Sequence, residues 1–487
     1  MKPTVFVHRL KGAIFDGSAS QWLIFITLGI LLGVFAMSVS SLPTGWAFML
    51  ILGTLSVFAA MIVRNVRRML LAVIILDIPF QLDTHFYYQD AAAALGALGG
   101  LSISVTTISL IALYFLWLSE LQARVPSMPR HMLRMSLPLA AYLAFVSLSV
   151  IEARNITLSL FEIALLLQMF LLYVYIVGTV RTRQDILFIV SVLLISVVFE
   201  ALVMIGLRFT GESFEFAGIF ARIDRGTRVG GTVGSAINAA GYFCLILAPA
   251  FSILLTQAGR SHKGLAVLAF GLGVIGLVLT LSRGGWIAFF LSITGLCLLA
   301  WHRGWLSRSA LITTAAVAVL LSLAFEVAIV TRLLGYDAGS AFSRVPLMKL
   351  AIRITMDNPV LGVGSNNFAV VMTDYAKFKS SGTWLYTVHN KYLLIAAEAG
   401  IGGLVTFIWF LFATLRRGWH CWKFEDRLLS PLALGFTVAI MGHMIHMLVD
   451  VFNSRPDVQL LWLVAGLITA MYSIAREETL NAGGGNS

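Results

Sequence analysis

Residues 331–391 read TRLLGYDAGSAFSRVPLMKLAIRITMDNPVLGVGSNNFAVVMTDYAKFKSSGTWLYTVHNK, a polar stretch between two apolar runs, 309–330 and 392–415. Each flanking run is long enough to cross a bilayer. About sixty residues of structureless loop would be uncommon unless the loop were functional or disordered. This one has turn signals at Asp357-Asn358-Pro359 and at Gly362-Val363-Gly364-Ser365-Asn366-Asn367, and aromatic residues at Tyr375, Phe378, Trp384 and Tyr386. It therefore reads as a folded loop carrying short helices of its own. Its cations are Arg332, Arg344, Lys349, Arg353, Lys377, Lys379 and Lys391, and it closes on His389-Asn390 just before the chain turns apolar again.

The frame around this loop is a membrane frame. Of 487 residues, 59% are hydrophobic and 12% are charged, against roughly 25% charged in a soluble domain; the mean hydropathy is +0.91. Apolar runs at 22–41, 44–63, 69–81, 102–121, 135–151, 158–180, 185–207, 235–256, 264–281, 286–301, 309–330, 392–415, 430–450 and 458–474 predict fourteen spans. Runs of this length imply helices rather than a barrel, hence an all-α polytopic integral membrane protein. The first run, followed at once by a second, reads as an uncleaved anchor. The net charge of +11 is accounted for by anchoring arginines, so no nucleic-acid partner is expected. Cys244 and Cys297 fall in apolar runs and Cys421 in a basic loop, without metal-ligand spacing, and imply neither a disulfide framework nor a zinc site.

With the N-terminus inside, 20 of the 34 Lys and Arg residues fall on cytoplasmic segments. Most of the others are concentrated in two outer loops, 208–233 and 331–391, which break the positive-inside pattern. Both termini are thus predicted to be cytoplasmic, with loop 331–391 extracytoplasmic, and the last residues, 475–487, to form a disordered cytoplasmic tail. Glu162, Glu200, Glu326, Glu398 and Asp450 all fall in the outer halves of their spans. Intramembrane carboxylates normally face a cavity or a partner, so an outward-opening polar cavity is expected, while Glu162 and Glu326 also fit snorkelling at helix ends.

Three outer-face segments carry candidate chemistry. Arg228-Val-Gly-Gly-Thr-Val-Gly, close to Arg222 and Arg225, combines guanidinium groups with accessible backbone amides and suits a phosphate, though basic loop residues also meet lipid headgroups. Ser282-Arg283-Gly284-Gly285-Trp286 puts an arginine in a very short outer connection, where snorkelling is the alternative. His389-Asn390 precedes Glu398-Ala399-Gly400 in the next span, and a histidine exchanges a proton near neutral pH. His443, His446 and Asp450 fall at i, i+3 and i+7 of one run, a pattern that reads as a structural cluster or a binding wall; no metal is assigned.

Taken in order, Arg228, Ser282-Arg283-Gly284-Gly285-Trp286, Asn358-Pro359 with Gly362-Val363-Gly364, His389-Asn390 with Glu398 and Gly400, and His446-Met-Leu-Val-Asp450 resemble the O-antigen ligase and O-antigen polymerase superfamily. The resemblance implies an inner-membrane glycosyltransferase of 12–14 transmembrane helices, with N-terminal helices over 1–207 and a catalytic region over 208–474. It implies an undecaprenyl-diphosphate-linked glycan donor, an acceptor that is lipid A–core or another lipid-linked glycan, inverting transfer and no cofactor. By the same resemblance Arg228, Arg283 and Arg344 would hold the diphosphate, His389 would act as general base, and Asn390, Glu398, His446 and Asp450 would line the site. Ligase, exopolysaccharide polymerase and protein O-oligosaccharyltransferase share this donor chemistry. A secondary transporter or lipid-linked-glycan flippase is the alternative from another class; it would place polar residues near the midplane of repeated halves.

Overall fold

The computed structural model describes residues 65–484 apart from 124–129, 217, 225, 310–311, 313–343 and 376–385. The expected spans 22–41, 44–63 and 309–330 lie outside these residues wholly or almost wholly, as do Arg225, Glu326, Arg332, Lys377, Phe378, Lys379 and Trp384.

The chain enters through α1 (Val66–Phe80) and then a hairpin of β1 (Asp83–Phe86) and β2 (Leu101–Ser104), which encloses α2 (Asp90–Ala94). Four long helices follow: α3 (Val105–Ala123), α4 (Arg130–Leu148, extended by a 3-10 turn over Ser149–Glu152), α5 (Ile156–Thr179) and α6 (Arg183–Thr210). A three-stranded antiparallel sheet of β3 (Phe214–Phe216), β4 (Ile219–Asp224) and β5 (Arg228–Gly231) leads into α7 (Ala236–Leu254), α8 (Arg260–Leu279) and α9 (Arg283–His302). The long loop contributes α10 (Arg344–Asp357) and α11 (Phe368–Tyr375), and the chain ends in α12 (Lys391–Lys423), α13 (Leu429–His446) and α14 (Arg455–Gly484). Nine of the described helices are long and apolar enough to cross a membrane, with Val105–Glu120 a shorter apolar helix beside them. The fold is that of an all-α polytopic membrane protein.

Local chemistry sets the helix starts. Asn155, Thr182, Ser235, Ser282 and Asn390 each stand one residue before a helix, and each side chain accepts a hydrogen bond from a first-turn N–H. This satisfies amides that have no partner within the helix. Helix α6 stops at Gly211, whose φ of 73° is the left-handed conformation that favours glycine.

The layering follows from packing. In the spanning windows of α14, α13 and α7, 94%, 83% and 83% of residues are buried, against 28% in α8 and 33% in α9. The first three form the bundle centre, and α8 and α9 expose apolar faces suited to lipid. Apolar side chains gain little by leaving lipid tails for one another, so close backbone approach matters more. At Gly442 of α13 a Cβ would lie 2.0 Å from Ser292 Oγ of α9, so the two helices touch through a position that only hydrogen can fill.

Three details differ from the sequence reading. Residues 475–484 continue α14 rather than forming a disordered tail. The segment Ala-Arg-Glu-Glu-Thr-Leu is a run of good helix formers, and Arg183 pairs with Glu478 at 2.6 Å, which ties this turn to α6. Secondly, α13 ends at His446, so Asp450 lies beyond a turn and not on the same helix face as His443. Thirdly, Cys421 is a buried residue of α12 and not of a basic loop.

Candidate functional site

The site forms where the start of α9, the end of α13, the start of α10 and the loop before α12 meet. Ser282 caps α9 by accepting from the Gly285 N–H at 3.3 Å, which fixes Arg283 as the first helical residue. Leu281 before it has φ of 50°, a left-handed conformation that a branched side chain rarely adopts. Arg228 of β5 reaches this turn, its Nε donating to the Thr280 carbonyl at 3.1 Å. The sheet carrying Arg228 is held from below by Glu200 of α6, a buried carboxylate that accepts from the Thr232 N–H at 2.9 Å and from the Thr232 hydroxyl.

The first turn of α9 lies against the last turn of α13. A Cβ at Gly284 would fall 2.8 Å from the His446 ring and 2.9 Å from Val449, so glycine is required for this approach. His446 Nε2 is 3.2 Å from Asp450 Oδ2, and Arg344 stands over the same carboxylate with its Nη2 3.8 Å from Oδ1. Arg344 Nη1 also donates to the Val449 carbonyl at 2.7 Å. Residues 389–391 lie across this turn: Asn390 Nδ2 donates to Leu448 O at 2.9 Å, and the Lys391 N–H donates to Met447 O at 2.9 Å and Asp450 O at 3.2 Å. The Asn390 side-chain oxygen caps α12 through the Leu393 N–H at 3.0 Å, so this amide holds the loop end in place with both of its ends.

His389 is 8% exposed and its Nδ1 lies 3.1 Å from the Thr387 carbonyl. A carbonyl only accepts, so in the neutral ring Nδ1 carries the proton and Nε2 is the basic nitrogen. Burial lowers the imidazole pKa below the ordinary 6.5, the Arg344 charge pushes the same way, and Asp450 opposes both. The surroundings thus favour the neutral ring. Thr387 is fixed by the Leu95 carbonyl, which accepts from its N–H at 2.9 Å and its hydroxyl at 3.0 Å. The hairpin between α1 and α3 therefore supports the histidine loop, a role no motif in the N-terminal half announces.

Arg228, Arg283, Arg344, His389, Asn390, His446 and Asp450 thus gather at one end of the bundle. Glu398 is turned elsewhere: its carboxylate accepts from the Phe368 N–H at 3.0 Å and caps α11. Two residues further on, α12 is broken at Gly400 (φ 71°, ψ −176°), and the loop after α10 fills the break. The Val363 N–H donates to Ala397 O and the Ile401 N–H to Pro359 O, both at 2.9 Å. These bonds satisfy backbone groups that a broken helix would leave bare inside a membrane. The motif residues Pro359, Gly362, Gly364, Glu398 and Gly400 therefore build the scaffold of the loop. Arg222, grouped with Arg228 on sequence, is engaged by Gly234 O at 2.6 Å and Asp224 at 3.1 Å.

No curated protein matches the sequence. Among solved structures, a chain from a peptidoglycan synthase complex aligns at 15% identity and a TM-score of 0.38, covering 70% of this chain and 96% of that one. Residues 268–408, which carry Arg283, Arg344, His389, Asn390 and Glu398, match the sequence model of the family described as O-antigen ligase. Over that stretch, onto which Arg228, His446 and Asp450 pack from outside it, the chain is similar to the O-antigen ligase family.

Proposed function

We propose that the protein is a glycosyltransferase that moves or polymerises a glycan carried on a polyprenyl diphosphate, undecaprenyl in a bacterial inner membrane, at the extracytoplasmic face. The observation that carries this reading is that Arg228 and Arg283 at the start of α9, and Arg344 beside Asp450, lie at the same end of the bundle as His389, whose charged neighbours include Arg344. In the reaction the acceptor hydroxyl oxygen attacks the anomeric carbon and its proton passes to His389 Nε2. The bond from that carbon to the diphosphate oxygen breaks, and the electron pair leaves with the polyprenyl diphosphate. A single displacement inverts the anomeric centre. Charge gathers on the leaving diphosphate, and fixed guanidinium groups stabilise it without reorganising at the moment of reaction. His446, held against Asp450, and Asn390 would wall the acceptor side. The acceptor is lipid A–core or a second lipid-linked glycan, and the family's donor chemistry serves both.

The test is transfer from a purified polyprenyl-diphosphate glycan, with and without EDTA. His389→Ala should retain donor binding and lose transfer by on the order of 10²-fold or more, the lower range of general-base catalysis. His389→Gln keeps a hydrogen bond but takes no proton, so it should be nearly as poor. Near-normal turnover by His389→Ala removes the base role, and loss of wild-type activity in EDTA would mean that fixed guanidinium groups alone do not meet the leaving-group charge.

A further inference from the structure

Beside the histidine loop the bundle holds a small, partly open cavity of about 20 Å³, lined among others by Lys391, His443, Asp457, Tyr142, Phe452 and Trp462. Besides the buried Tyr142 phenol, three of these side chains are ionisable and buried: Lys391 is 6% exposed, Asp457 5% and His443 1%. Both nitrogens of His443 lack a hydrogen-bond partner among the described residues. Asp457 accepts from Ser454 Oγ at 2.5 Å, and Ser454 is itself held by Asn238 Nδ2 at 3.1 Å. Lys391 and Asp457 face the same cavity without a direct ion pair between them among the described residues.

A void of this size has room for one water, which requires roughly 10–15 Å³ and two to four polar partners. A dry void would leave an ammonium, a carboxylate and an imidazole facing aromatic walls, an arrangement that low-dielectric surroundings penalise heavily. A water balances the donors and acceptors. It accepts from the Lys391 ammonium, which can only donate, and donates to the Asp457 carboxylate, which can only accept. Its remaining donor or acceptor meets a His443 nitrogen.

We propose that this cavity holds a water joining Lys391, Asp457 and His443, and that the buried charge pair so formed is a positioning device for His389. Lys391 is the first residue of α12, two after the histidine, and its N–H is bonded to Met447 O and Asp450 O. With its side chain anchored inside the bundle and its backbone on the turn after α13, the 389–391 segment is held from two directions. Loss of the inner anchor frees the segment to shift, and misplacing a reacting group by about 1 Å costs on the order of 10²-fold in rate. The positioning role rests on the proposed transfer reaction; the charge pairing does not.

The experiment is a double-mutant cycle on the full chain in lipid nanodiscs, with Lys391→Met, Asp457→Asn and the pair together, reading thermal unfolding and transfer kinetics. Each single variant strands one buried charge and should melt below wild type. The double variant strands none and should regain most of the wild-type midpoint. Its kcat should stay about tenfold or more below wild type, with donor KM within about twofold, because the anchor is gone while the diphosphate site is intact. A double variant that melts as low as the two single losses combined overturns the pairing, whatever the enzyme does. A double variant with wild-type kcat overturns the positioning role. A high-resolution map with no water density in the cavity overturns the bridge. If the wild-type protein does not use the donor at all, the proposed reaction fails, while the unfolding cycle still decides the pairing.

Discussion

At the scale of single residues, His389, the proposed base, is tested together with its two charged neighbours. Arg344 disfavours a second proton on His389 and Asp450 favours one. A base works only when unprotonated, so transfer should fall as pH drops through the His389 pKa, below 6.5. Removing the positive neighbour raises that pKa, so Arg344→Gln should move the acid limb of kcat/KM to higher pH. Asp450→Asn should move it to lower pH. A pH–rate profile of the three proteins checks both signs, and limbs that do not move would separate His389 from the proton transfer. Arg283 makes a second case. Lysine keeps its charge and loses the planar fork that matches a diphosphate, so Arg283→Lys should be clearly impaired and Arg283→Ala nearly inactive in the same assay at equal protein level. The positions of these groups are readable from residue type and spacing, because the positive-inside pattern gives a cation in a short outer connection no topological role. Their supports are not. The Thr387–Leu95 contact joins residues 292 apart, and nothing in either local sequence encodes the other.

At the scale of elements, helices are legible in the sequence and departures from helix are not. Capping residues and apolar length set the starts of α5, α6, α7, α9 and α12 to within a few residues. The segment of β3, β4 and β5 reads on sequence only as a loop, since its strands are short and lack a sustained alternation. The break in α12 is also hidden, because Glu398-Ala-Gly-Ile sits in an otherwise continuous apolar run and glycine is common in membrane helices. Only the three-dimensional neighbour explains it: at Gly400 a Cβ would fall 2.1 Å from the Val360 carbonyl oxygen. That residue also holds a φ/ψ combination open essentially to glycine alone. Gly400→Ala should therefore destabilise by at least about 2 kcal/mol, from backbone strain together with the clash. Gly264→Ala in α8 is the matched control, with open space at its Cβ; it should be neutral or stabilising by up to ~1 kcal/mol. Thermal unfolding of the purified variants checks the pair, and equal midpoints would mean that the break carries no constraint.

At the scale of the whole molecule, the charges at the two ends do different work. At the end opposite the site, Arg303 donates to the carbonyls of Trp422, Lys423 and Phe424, and closes the C-terminus of α12. Arg417 is turned inward to Tyr173, Thr469 and Met135 O, and Arg183 pairs with Asp426 and Glu478. Much of the basic excess there is thus used in structure, yet orientation follows the count of Lys and Arg in short loops and not their net charge. That count predicts a cytoplasmic location for this end, and the arginines of the site end would then be an exception that the proposed anionic donor explains. The orientation is tested with single cysteines at two exposed positions flanking the two halves of α12. Asp357 closes α10 on the site side, and Glu425 lies in the turn between α12 and α13. Ser430, in that same region, is buried and would give no signal on either side. In a background lacking Cys244, Cys297 and Cys421, an impermeant thiol reagent added to intact cells, with the outer membrane permeabilised where there is one, should label the cysteine of Asp357→Cys. That of Glu425→Cys should label only after the cytoplasmic membrane is opened. The reverse pattern would put the arginine cluster in the cytoplasm, where a donor for extracytoplasmic transfer could not reach it, and the proposed reaction would fail with the topology.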